Sequence, residues 1–571
     1  VGTYQKNQNF GFVVADQKKI DKDLFIPKNA DMGAITGHKV VAEIIDFGDA
    51  AKNPEGRIIE IIGHTNEPGT DIMAIVKSLG IPNVFPDPVV AALETVPTEI
   101  LKNDAVGRLD LRKQLTVTID GEDATDLDDA ITLEKVETGY KLGVHIADVT
   151  HYVREGSPLD VEAVIRGTSV YLADRVIPML PRKLSNGICS LNAGVDRLSL
   201  SCIMDIDYHG DVTNYEIAET VINVDYRMSY TDVKKILLDE DPAINATYEK
   251  AIPMFKDMEN LAAILRKMRS KRGSIDFDFP EAKVILDEQG KPIEIKEYER
   301  NVATKIIEEF MLLANETVAE HFFWQQTPFV YRSHDDPSPE KLKRLSAFIY
   351  NFGYHIKTHG DIHPKQIQQL LNEIAGTHEE LVISRLTLRS MQKAAYTTTN
   401  DGHYGLATEY YCHFTSPIRR YPDLQIHRII KESLPNGLNE ARTEHYQKIL
   451  PNIAKLCSEY ERRAEEAERE TIKLKKVEYM MEHIGETFNG VISSVTSFGL
   501  FVELENTIEG LVHVTALDDD YYNYDEEHYC FIGERKGKIY RLGERIKVNV
   551  ANADKQLRTI DFTVVKELID K

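Results

Sequence analysis

The chain has 571 residues, with 68 Lys and Arg against 92 Asp and Glu, for a net charge of −24. At roughly 150 residues per domain, this length predicts three to five domains. No apolar run reaches the roughly 18–20 residues of a membrane-spanning helix, which argues against a membrane partner. The five cysteines are far apart and form no C-x-x-C pair. This excludes a disulfide framework and a structural zinc site and favours the reducing cytoplasm.

Residues 1–63 predict a small Greek-key barrel, because short alternating stretches such as NFGFVVAD (9–16) and DLFIP (23–27) are separated by Gly, Pro and Asn. On the outer face of such a barrel, Phe10, Phe12 and Phe25 would stack on single-stranded bases. The alternative is that these rings fill the barrel interior, and spacing alone leaves both interpretations open.

The rest of the chain divides by pattern. Residues 64–115 are rich in proline, a composition that predicts a linker packed on its neighbour. The pattern of strand-like and helical runs over residues 116–440 predicts a large mixed α/β domain. Residues 441–484 predict a helical connector. Residues 485–571 alternate again and predict a second five-stranded barrel, with Phe498, Phe501 and His513 on one face.

An acidic stretch, TIDGEDATDLDDAI (118–131), lies between two predicted strands. Its carboxylates are those of Asp120, Asp126, Asp128 and Asp129. Such crowded acids repel one another unless a divalent cation binds, and hard oxygen ligands suit Mg²⁺ or Mn²⁺. Metal ions held in this way hydrolyse phosphodiesters. An EF-hand is excluded because Ala130 and Ile131 occupy positions that need a ligand and a glycine. A solvated acidic turn is the remaining alternative.

A second motif, HFTSPIRRYPDLQIHR (413–428), predicts a helix that begins at Pro417. Arg419 or Arg420 would then hold a phosphate at the helix start. The alternative is a structural ion pair with Asp423. The net acidity argues against RNA, but the basic runs LRKMRSKR (265–272) and RKGKIYRLGERIK (535–547) would guide a polyanion.

Four motifs in order resemble the RNB family of exoribonucleases, the ribonuclease II/ribonuclease R group. They are TIDGEDATDLDDA, IPMLPRKLSNGICSLN (177–192), IEEFMLLAN (307–315) and HFTSPIRRYPDL. The first barrel resembles a cold-shock domain and the last an S1 domain. The resemblance therefore implies a multidomain α+β fold with an OB-fold cold-shock barrel, an RNB catalytic domain and an OB-fold S1 barrel.

The resemblance implies a processive, hydrolytic 3′→5′ exoribonuclease that uses magnesium, with manganese as a substitute, and releases nucleoside 5′-monophosphates. Its substrate would be RNA with a free 3′ end, and the enzyme would act as a cytoplasmic monomer. The metal ligands fall on Asp120, Asp126, Asp128 and Asp129, with Asp128 and Asp129 also catalytic. Arg419 would stabilise transition-state charge, and Tyr171 would clamp the 3′-terminal nucleotide. Glu309, preferred over Glu308, would contact that nucleotide.

Within the group, RRYPDL and HIADVTHYV (145–153) look more like ribonuclease R, which degrades structured RNA given a 3′ overhang. One cold-shock domain is visible where two are usual, and no Lys-rich tail follows Lys571, which fits a chain trimmed at both ends. The rival hypothesis is an RNA-binding protein that keeps the RNB fold without catalysis. The intact aspartates and Arg419 argue against it.

Overall fold

The computed structural model describes residues 1–16, 20, 22–49, 52–239, 241–277, 279–298, 300–360, 362–377, 379–526 and 528–565. Residues 566–571, inside the predicted 485–571 domain, lie outside this described part. Along the chain follow a small β-barrel, a large domain built on a seven-stranded sheet, a long helix and a second β-barrel. This order confirms the predicted fold class.

The first barrel is closed, with strand order β1-β2-β3-β5-β4. Its strands are β1 (Gly2–Lys6), β2 (Phe10–Ala15), β3 (Leu24–Pro27), β4 (His38–Asp46) and β5 (Glu55–His64). In β2, Gly11 and Val13 face the interior, whereas Phe10 and Phe12 point outward. A side chain at residue 11 would collide with the buried ring of Tyr4, because its Cβ atom would lie 2.3 Å from that ring. Glycine is therefore required there.

Residues 64–115 connect the barrel to the large domain and contribute structure to both. They form α1 (Thr70–Ser78), α2 (Asp87–Leu93) and β6 (Leu109–Asp110). Ile72 and Ile75 of α1 are buried against Leu474 of the long helix described below. Strand β6 joins the edge of the central sheet. The segment therefore packs on both of its neighbours.

The central sheet has strand order β14-β7-β8-β9-β12-β13-β6. The strands are β7 (Val117–Asp120), β8 (Asp129–Val136), β9 (Gly139–Ala147), β12 (Asp196–Asp207), β13 (Val212–Asn223) and β14 (Tyr226–Ser229). Three two-stranded pairs accompany it. They are β10 (Val170–Tyr171) with β11 (Val176–Ile177), β15 (Ala282–Leu286) with β16 (Pro292–Glu297), and β17 (Tyr331–Ser333) with β18 (Ala395–Thr397).

Helices surround this sheet. They are α3 (Pro158–Arg166), α4 (Tyr230–Lys234), α5 (Pro242–Thr247), α6 (Ile252–Arg272), α7 (Val302–Trp324), α8 (Pro339–Tyr350), α9 (Pro364–Ile374), α10 (Glu380–Ser390) and α11 (Tyr421–Ser433). Helix α7 buries Ile306, Phe310 and Ala314 in the main core. Residues four apart lie on one helix face, so the apolar spacing of α7 explains its central position.

The long helix α12 (Glu440–Met481) leads to the second barrel. That barrel is closed in the order β19-β20-β21-β26-β25. Its strands are β19 (Thr487–Thr496), β20 (Gly499–Leu504), β21 (Glu509–His513), β25 (Arg545–Asp554) and β26 (Thr559–Val564). A three-stranded sheet is inserted, formed by β22 (Tyr522–Asp525), β23 (Cys530–Gly533) and β24 (Ile539–Arg541).

Two further observations concern the whole described chain. None of its described helices is long and apolar enough to cross a membrane. The five cysteines are buried and free of disulfide bonds.

Two local predictions are wrong. The helix predicted to begin at Pro417 begins at Tyr421 instead. The preceding backbone is held in another conformation, because Arg420 forms a β-bridge with Thr168 and the carbonyl of Arg419 accepts a 2.9 Å hydrogen bond from the Ser169 N–H.

The basic run at 265–272 is only partly available to a polyanion. Arg269 forms two hydrogen bonds to Glu309 of α7, at 2.7 and 3.0 Å, and Arg272 does the same with Glu316 at 2.7 and 3.0 Å. These two arginines therefore join α6 to α7. The prediction that they guide RNA is wrong.

Candidate active site

The central sheet brings the four predicted aspartates to one edge. Asp120 is the last residue of β7, and Asp129 is the first of β8, the antiparallel neighbour of β7. Because antiparallel neighbours begin and end at the same edge, the two carboxylates lie close together. Asp128 directly precedes β8 and is buried. Asp126 lies near enough for its charge to raise the pKa of both Asp120 and Asp128.

The motif IPMLPRKLSNGICSLN (177–192) fixes the loop that carries Asp126 and Asp128. The Ser190 hydroxyl accepts a 3.0 Å hydrogen bond from the Leu127 N–H and donates one of 3.0 Å to the Thr125 carbonyl. The Asn186 side-chain amide donates to the Thr125 hydroxyl at 2.8 Å. These bonds hold the backbone on both sides of Asp126 and so fix the direction of its carboxylate. Ser190 and Asn186 are therefore positioning residues.

The motif HFTSPIRRYPDL (413–424) supplies a hydrogen-bond donor to Asp128 and places a cation near it. The Ile418 N–H donates a 2.8 Å hydrogen bond to Asp128 Oδ1, and Arg419 Nε lies 3.7 Å from Asp128 Oδ2. The Arg419 side chain remains 42% exposed. Arg420 instead forms two hydrogen bonds, at 2.6 and 3.0 Å, with the fully buried Asp423. Arg420 therefore forms the structural ion pair with Asp423. Arg419 keeps an exposed guanidinium that a ligand can reach.

Asn315, in the motif IEEFMLLAN (307–315), holds the backbone at the start of the motif HFTSPIRRYPDL. Asn315 Oδ1 accepts a 2.8 Å hydrogen bond from the Phe414 N–H, and its carbonyl accepts one from Cys412 Sγ at 3.3 Å. Both bonds hold the start of the loop that carries Arg419. Asn315 is only 3% exposed, so these bonds are shielded from water.

The contacts of the two glutamates disagree with the choice of Glu309. Glu309 is only 3% exposed, and both of its oxygens bind Arg269. Glu308 is half-buried and binds Arg300 at 2.7 Å. Since the Glu309 oxygens are already occupied inside the core, Glu308 is the better placed of the two for a nucleotide.

Tyr171 lies on the hairpin of β10 and β11 at the edge of the aspartate cluster. Its hydroxyl donates to Asp126 Oδ2 at 3.4 Å, a long contact, and 38% of the residue is exposed. Burial of the hydroxyl and the nearby Asp126 charge raise the pKa of Tyr171, while Arg419 opposes that shift. The ring is thus fixed beside the acids with an accessible surface. Its role as a clamp for the terminal nucleotide stays a prediction.

The electrostatics of the cluster are unusual for a folded protein. The Oδ2 atoms of Asp120, Asp128 and Asp129 are buried and lack a hydrogen-bond partner within the described residues. Burial raises the pKa of Asp120 to about 6 and that of Asp129 to about 8, and it raises the pKa of Asp128 well above its ordinary value. The charge of Arg419 opposes the rise at all three. Buried, unpaired acceptors are costly, so this arrangement indicates a site built for a cation.

The donor set fits a hard divalent ion bound in an open site. Only carboxylate oxygens converge here, which suits Mg²⁺ or Mn²⁺ better than a softer metal. In the described part of the chain, no three His, Cys, Asp or Glu side chains are already arranged as a ligand group. This is compatible with Mg²⁺, which commonly takes one or two carboxylates and completes its shell with water and substrate phosphates.

Comparison with known proteins identifies the family. The RNB domain matches residues 108–436, the cold shock domain 12–86 and the S1 RNA binding domain 483–564. Ribonuclease R of Thermotoga maritima is 48% identical, over 99% of this chain and 80% of that protein. Ribonuclease R of Escherichia coli is 39% identical, over 99% and 70%. This chain belongs to the ribonuclease R group of the RNB family.

The three-dimensional fold agrees with this assignment. The structure of Mycoplasma genitalium RNase R in complex with ribose methylated single-stranded RNA matches with a TM-score of 0.91 and 28% identity. The match covers 99% of this chain and 89% of that one. The RNB match also spans all four motifs that surround the aspartate cluster.

The ribonuclease R site contains two residues that sequence reasoning missed. Arg227 donates to the carbonyls of Glu122 and Ala124, and its charge lowers the pKa of Asp120. Tyr230 is half-buried near Asp120 and Asp129, and desolvation of its hydroxyl together with their charges raises its pKa. Both come from the region of β14, which pairs in parallel with β7 so that Ser229 lies opposite Asp120. No spacing in the sequence signals this long-range pairing.

Both barrels of this ribonuclease R-group chain carry exposed aromatic clusters. Phe10, Phe12 and Phe25 lie 5.6 to 5.8 Å apart on the outside of the first barrel. The alternative that they fill its interior is therefore wrong.

On the second barrel, Phe498 and Phe501 lie 6.0 Å apart, and strand pairing places His513 opposite Gly499 on the same face as Phe501. The predicted shared face of these three residues is thus present. Their contact with RNA stays a prediction.

Proposed function

We propose that this chain is a processive, hydrolytic 3′→5′ exoribonuclease. It degrades single-stranded RNA, and structured RNA with a 3′ overhang, and releases nucleoside 5′-monophosphates. The observation that carries the proposal is the set of three buried, unpaired aspartate oxygens beneath Arg419, in a chain of the ribonuclease R group.

Asp120, Asp126, Asp128 and Asp129 would hold Mg²⁺, for which Mn²⁺ could substitute. When bound, the metal lowers the pKa of water and offsets phosphate charge at the scissile bond. The Ile418 N–H keeps Asp128 oriented toward the cluster, and the exposed guanidinium of Arg419 stabilises the charge that develops on the phosphate oxygens. Tyr171 holds the 3′-terminal nucleotide beside the acids.

The two aromatic clusters would deliver RNA with a free 3′ end to this site. Stacking on Phe and His rings is tolerant of base identity, so little sequence preference is expected. We further propose that the enzyme works as a monomer in the cytoplasm, where free cysteines such as those of this chain persist.

The test uses single-stranded RNA labelled at its 5′ end, with Mg²⁺ and then with EDTA. We expect products that shorten from the 3′ end, release of 5′-monophosphates, and arrest by EDTA. Asp129→Asn should lower turnover by about 10²–10³-fold or more while RNA affinity stays nearly unchanged. Asp123→Asn, in the same loop but exposed, is the matched control and should retain full turnover.

Three other results of this experiment would each contradict the proposed function. Binding by wild type and Asp129→Asn alike, with no shortening by either, would mean an RNA-binding protein that keeps the fold without catalysis. Internal cuts would contradict the exonucleolytic direction. Equal losses in Asp123→Asn and Asp129→Asn would remove the case for a specific role of the cluster.

A further inference from the structure

Arg419 has few side-chain contacts for a residue that the proposed function places at the reacting phosphate. Its guanidinium donates a 3.1 Å hydrogen bond to the Ser416 hydroxyl and lies 3.7 Å from Asp128 Oδ2, and 42% of the side chain is exposed. An arginine that is held at so few points keeps much of its rotamer freedom. The direction of the guanidinium therefore depends on how the backbone of Arg419 is held.

Hydrogen bonds hold the Arg419 backbone on both sides. Before it, the Ile418 N–H donates to Asp128 Oδ1 at 2.8 Å. After it, the Arg419 carbonyl accepts two hydrogen bonds, one of 2.9 Å from the Ser169 N–H and one of 3.0 Å from the Thr168 hydroxyl. The same hydroxyl lies 3.2 Å from the Ser169 carbonyl. Thr168 thus anchors the Arg419 carbonyl through its side chain, whereas Ser169 does so through its main chain.

The segment that provides this anchor leads directly to Tyr171. Thr168 forms an antiparallel β-bridge with Arg420, and Val170 and Tyr171 then form β10. Three residues of extended chain span only about 10 Å. The side chain assigned to the phosphate and the ring assigned to the terminal nucleotide are therefore supported by one short segment.

We propose that Thr168 is a positioning residue, whose hydroxyl fixes the direction of Arg419 toward the reacting phosphate. This inference rests on the proposed function, in which Arg419 stabilises charge on the phosphate oxygens. Without the hydroxyl, the Arg419 carbonyl still accepts the Ser169 N–H, so no buried acceptor is left unpaired. The backbone of Arg419 is then held less firmly, and small displacements of a catalytic group lower the rate of the chemical step.

The test removes the hydroxyl with Thr168→Val, which keeps a β-branched side chain suited to extended backbone. The full chain is assayed in Mg²⁺ with single-stranded RNA labelled at its 5′ end, and Tm is measured in parallel. We expect kcat to fall about tenfold, since one hydrogen bond that positions Arg419 is lost. KM should change little because Arg419 acts on transition-state charge, and Tm should change little because Thr168 is half-buried.

Two further variants serve as controls. Thr168→Ser keeps the hydroxyl and should restore most of kcat. Thr213→Val is the matched control, because the Thr213 hydroxyl also donates to a backbone carbonyl, that of Asp205 at 3.1 Å, but on the exposed part of β13. Its kcat should equal that of wild type.

A double-variant comparison shows whether the effect passes through Arg419. In an Arg419→Ala background, Thr168→Val should cause no further loss of kcat, because the side chain that it positions is gone. Equal losses in both backgrounds, or a loss that accompanies a clear fall in Tm, would assign Thr168 to the fold and overturn the proposal. Should Thr168→Val fail to fold, Thr168→Ala provides the same comparison.

Failure of this inference and failure of the proposed function give different results. Wild-type kcat in Thr168→Val would overturn the role of Thr168 and leave the proposed function in place. Absence of RNA shortening by wild type and by Thr213→Val alike would overturn the proposed function, and the role of Thr168 with it.

Discussion

Two buried acidic regions of this protein have opposite electrostatics. At the edge of the central sheet, the Oδ2 atoms of Asp128 and Asp129 are buried and unpaired, and the pKa values of both residues are raised. Asp148 lies just after β9 of the same sheet and is 1% exposed. Burial alone would raise its pKa as well, but Lys431 and Arg108 hold it below the ordinary value.

The difference shows which acids serve the fold and which serve a ligand. Asp148 receives hydrogen bonds from Arg108 at 2.6 Å and from Lys431 at 2.7 and 2.8 Å, so its charge is satisfied inside the protein. Within the described residues, the acids of the aspartate cluster form no hydrogen bond with a cation: Arg419 Nε lies 3.7 Å from Asp128 Oδ2, and Arg227 acts on Asp120 through its charge. Burial by itself therefore does not distinguish a structural acid from a functional one, whereas the presence of a buried cation partner does.

The largest expected effect comes from breaking the paired region. Asp148→Asn would leave Arg108 and Lys431 facing a neutral amide, and removal of one partner from a buried pair typically costs about 3–5 kcal/mol. Glu219, within 3.3 Å of both cations, retains part of their pairing, so the lower end is expected. Thermal unfolding should show a clear fall in Tm. An unchanged Tm would contradict the structural role of Asp148.

The second prediction separates two neighbouring arginines. Arg419→Ala should lower turnover by about 10²–10³-fold with little change in Tm, since this side chain is half-exposed and its contacts are a 3.1 Å hydrogen bond to the Ser416 hydroxyl and a 3.7 Å approach to Asp128. Arg420→Ala should instead lower Tm, because it leaves the buried carboxylate of Asp423 without its cation. Steady-state kinetics and thermal unfolding of both variants check this. Reversed effects would mean that the assignment of Arg419 to the phosphate is wrong.

The last prediction concerns pH in the absence of metal. The native state keeps a proton on Asp129 up to about pH 8, whereas an unfolded aspartate loses it near pH 4. Between these values the native state binds more protons, so the free energy of unfolding falls as pH rises, by at most about 1.4 kcal/mol per pH unit. Asp129→Asn should reduce this decline, and the raised pKa values of Asp120 and Asp128 account for the part that remains.

The measurement is Tm in EDTA at about pH 5 and about pH 7.5, for wild type and Asp129→Asn. We expect wild type to lose more stability than the variant between the two. Added Mg²⁺ should restore wild type at the higher pH and leave Asp129→Asn unchanged, because a ligand that binds only the native state stabilises it. Parallel pH profiles would contradict the raised pKa of Asp129.

Much of the architecture follows from local patterns. Alternation predicts both barrels, and the two strands that flank the acidic loop place Asp120 and Asp129 at one edge. The start of α11 was not predictable, because both Pro417 and Pro422 suit a first helical turn. The choice depends on a β-bridge to Thr168, about 250 residues away in the chain.

Charged residues were the least predictable part of the site. Arg269 and Arg272 resemble a basic patch until α7 places Glu309 and Glu316 beside them. The same pairing removes Glu309 from consideration as a nucleotide ligand. Sequence shows that a side chain is charged, but the partner that neutralises it often comes from a distant element, as with Arg269 near Glu309 and Arg419 near Asp128.

The 42-residue helix α12 fixes the distance between the hairpin that carries Tyr171 and the second barrel. Ala467 packs against Val170 and Ile177 of the hairpin that carries Tyr171, while Val477 and Met480 belong to the core of the second barrel. A continuous helix thus sets the span between barrel and hairpin, at about 1.5 Å per residue. Under the proposed function, an RNA shorter than this span would no longer reach the second barrel while its 3′ end lies at Tyr171. We therefore expect the protein, and not the RNA sequence, to set the length at which an RNA leaves the barrel.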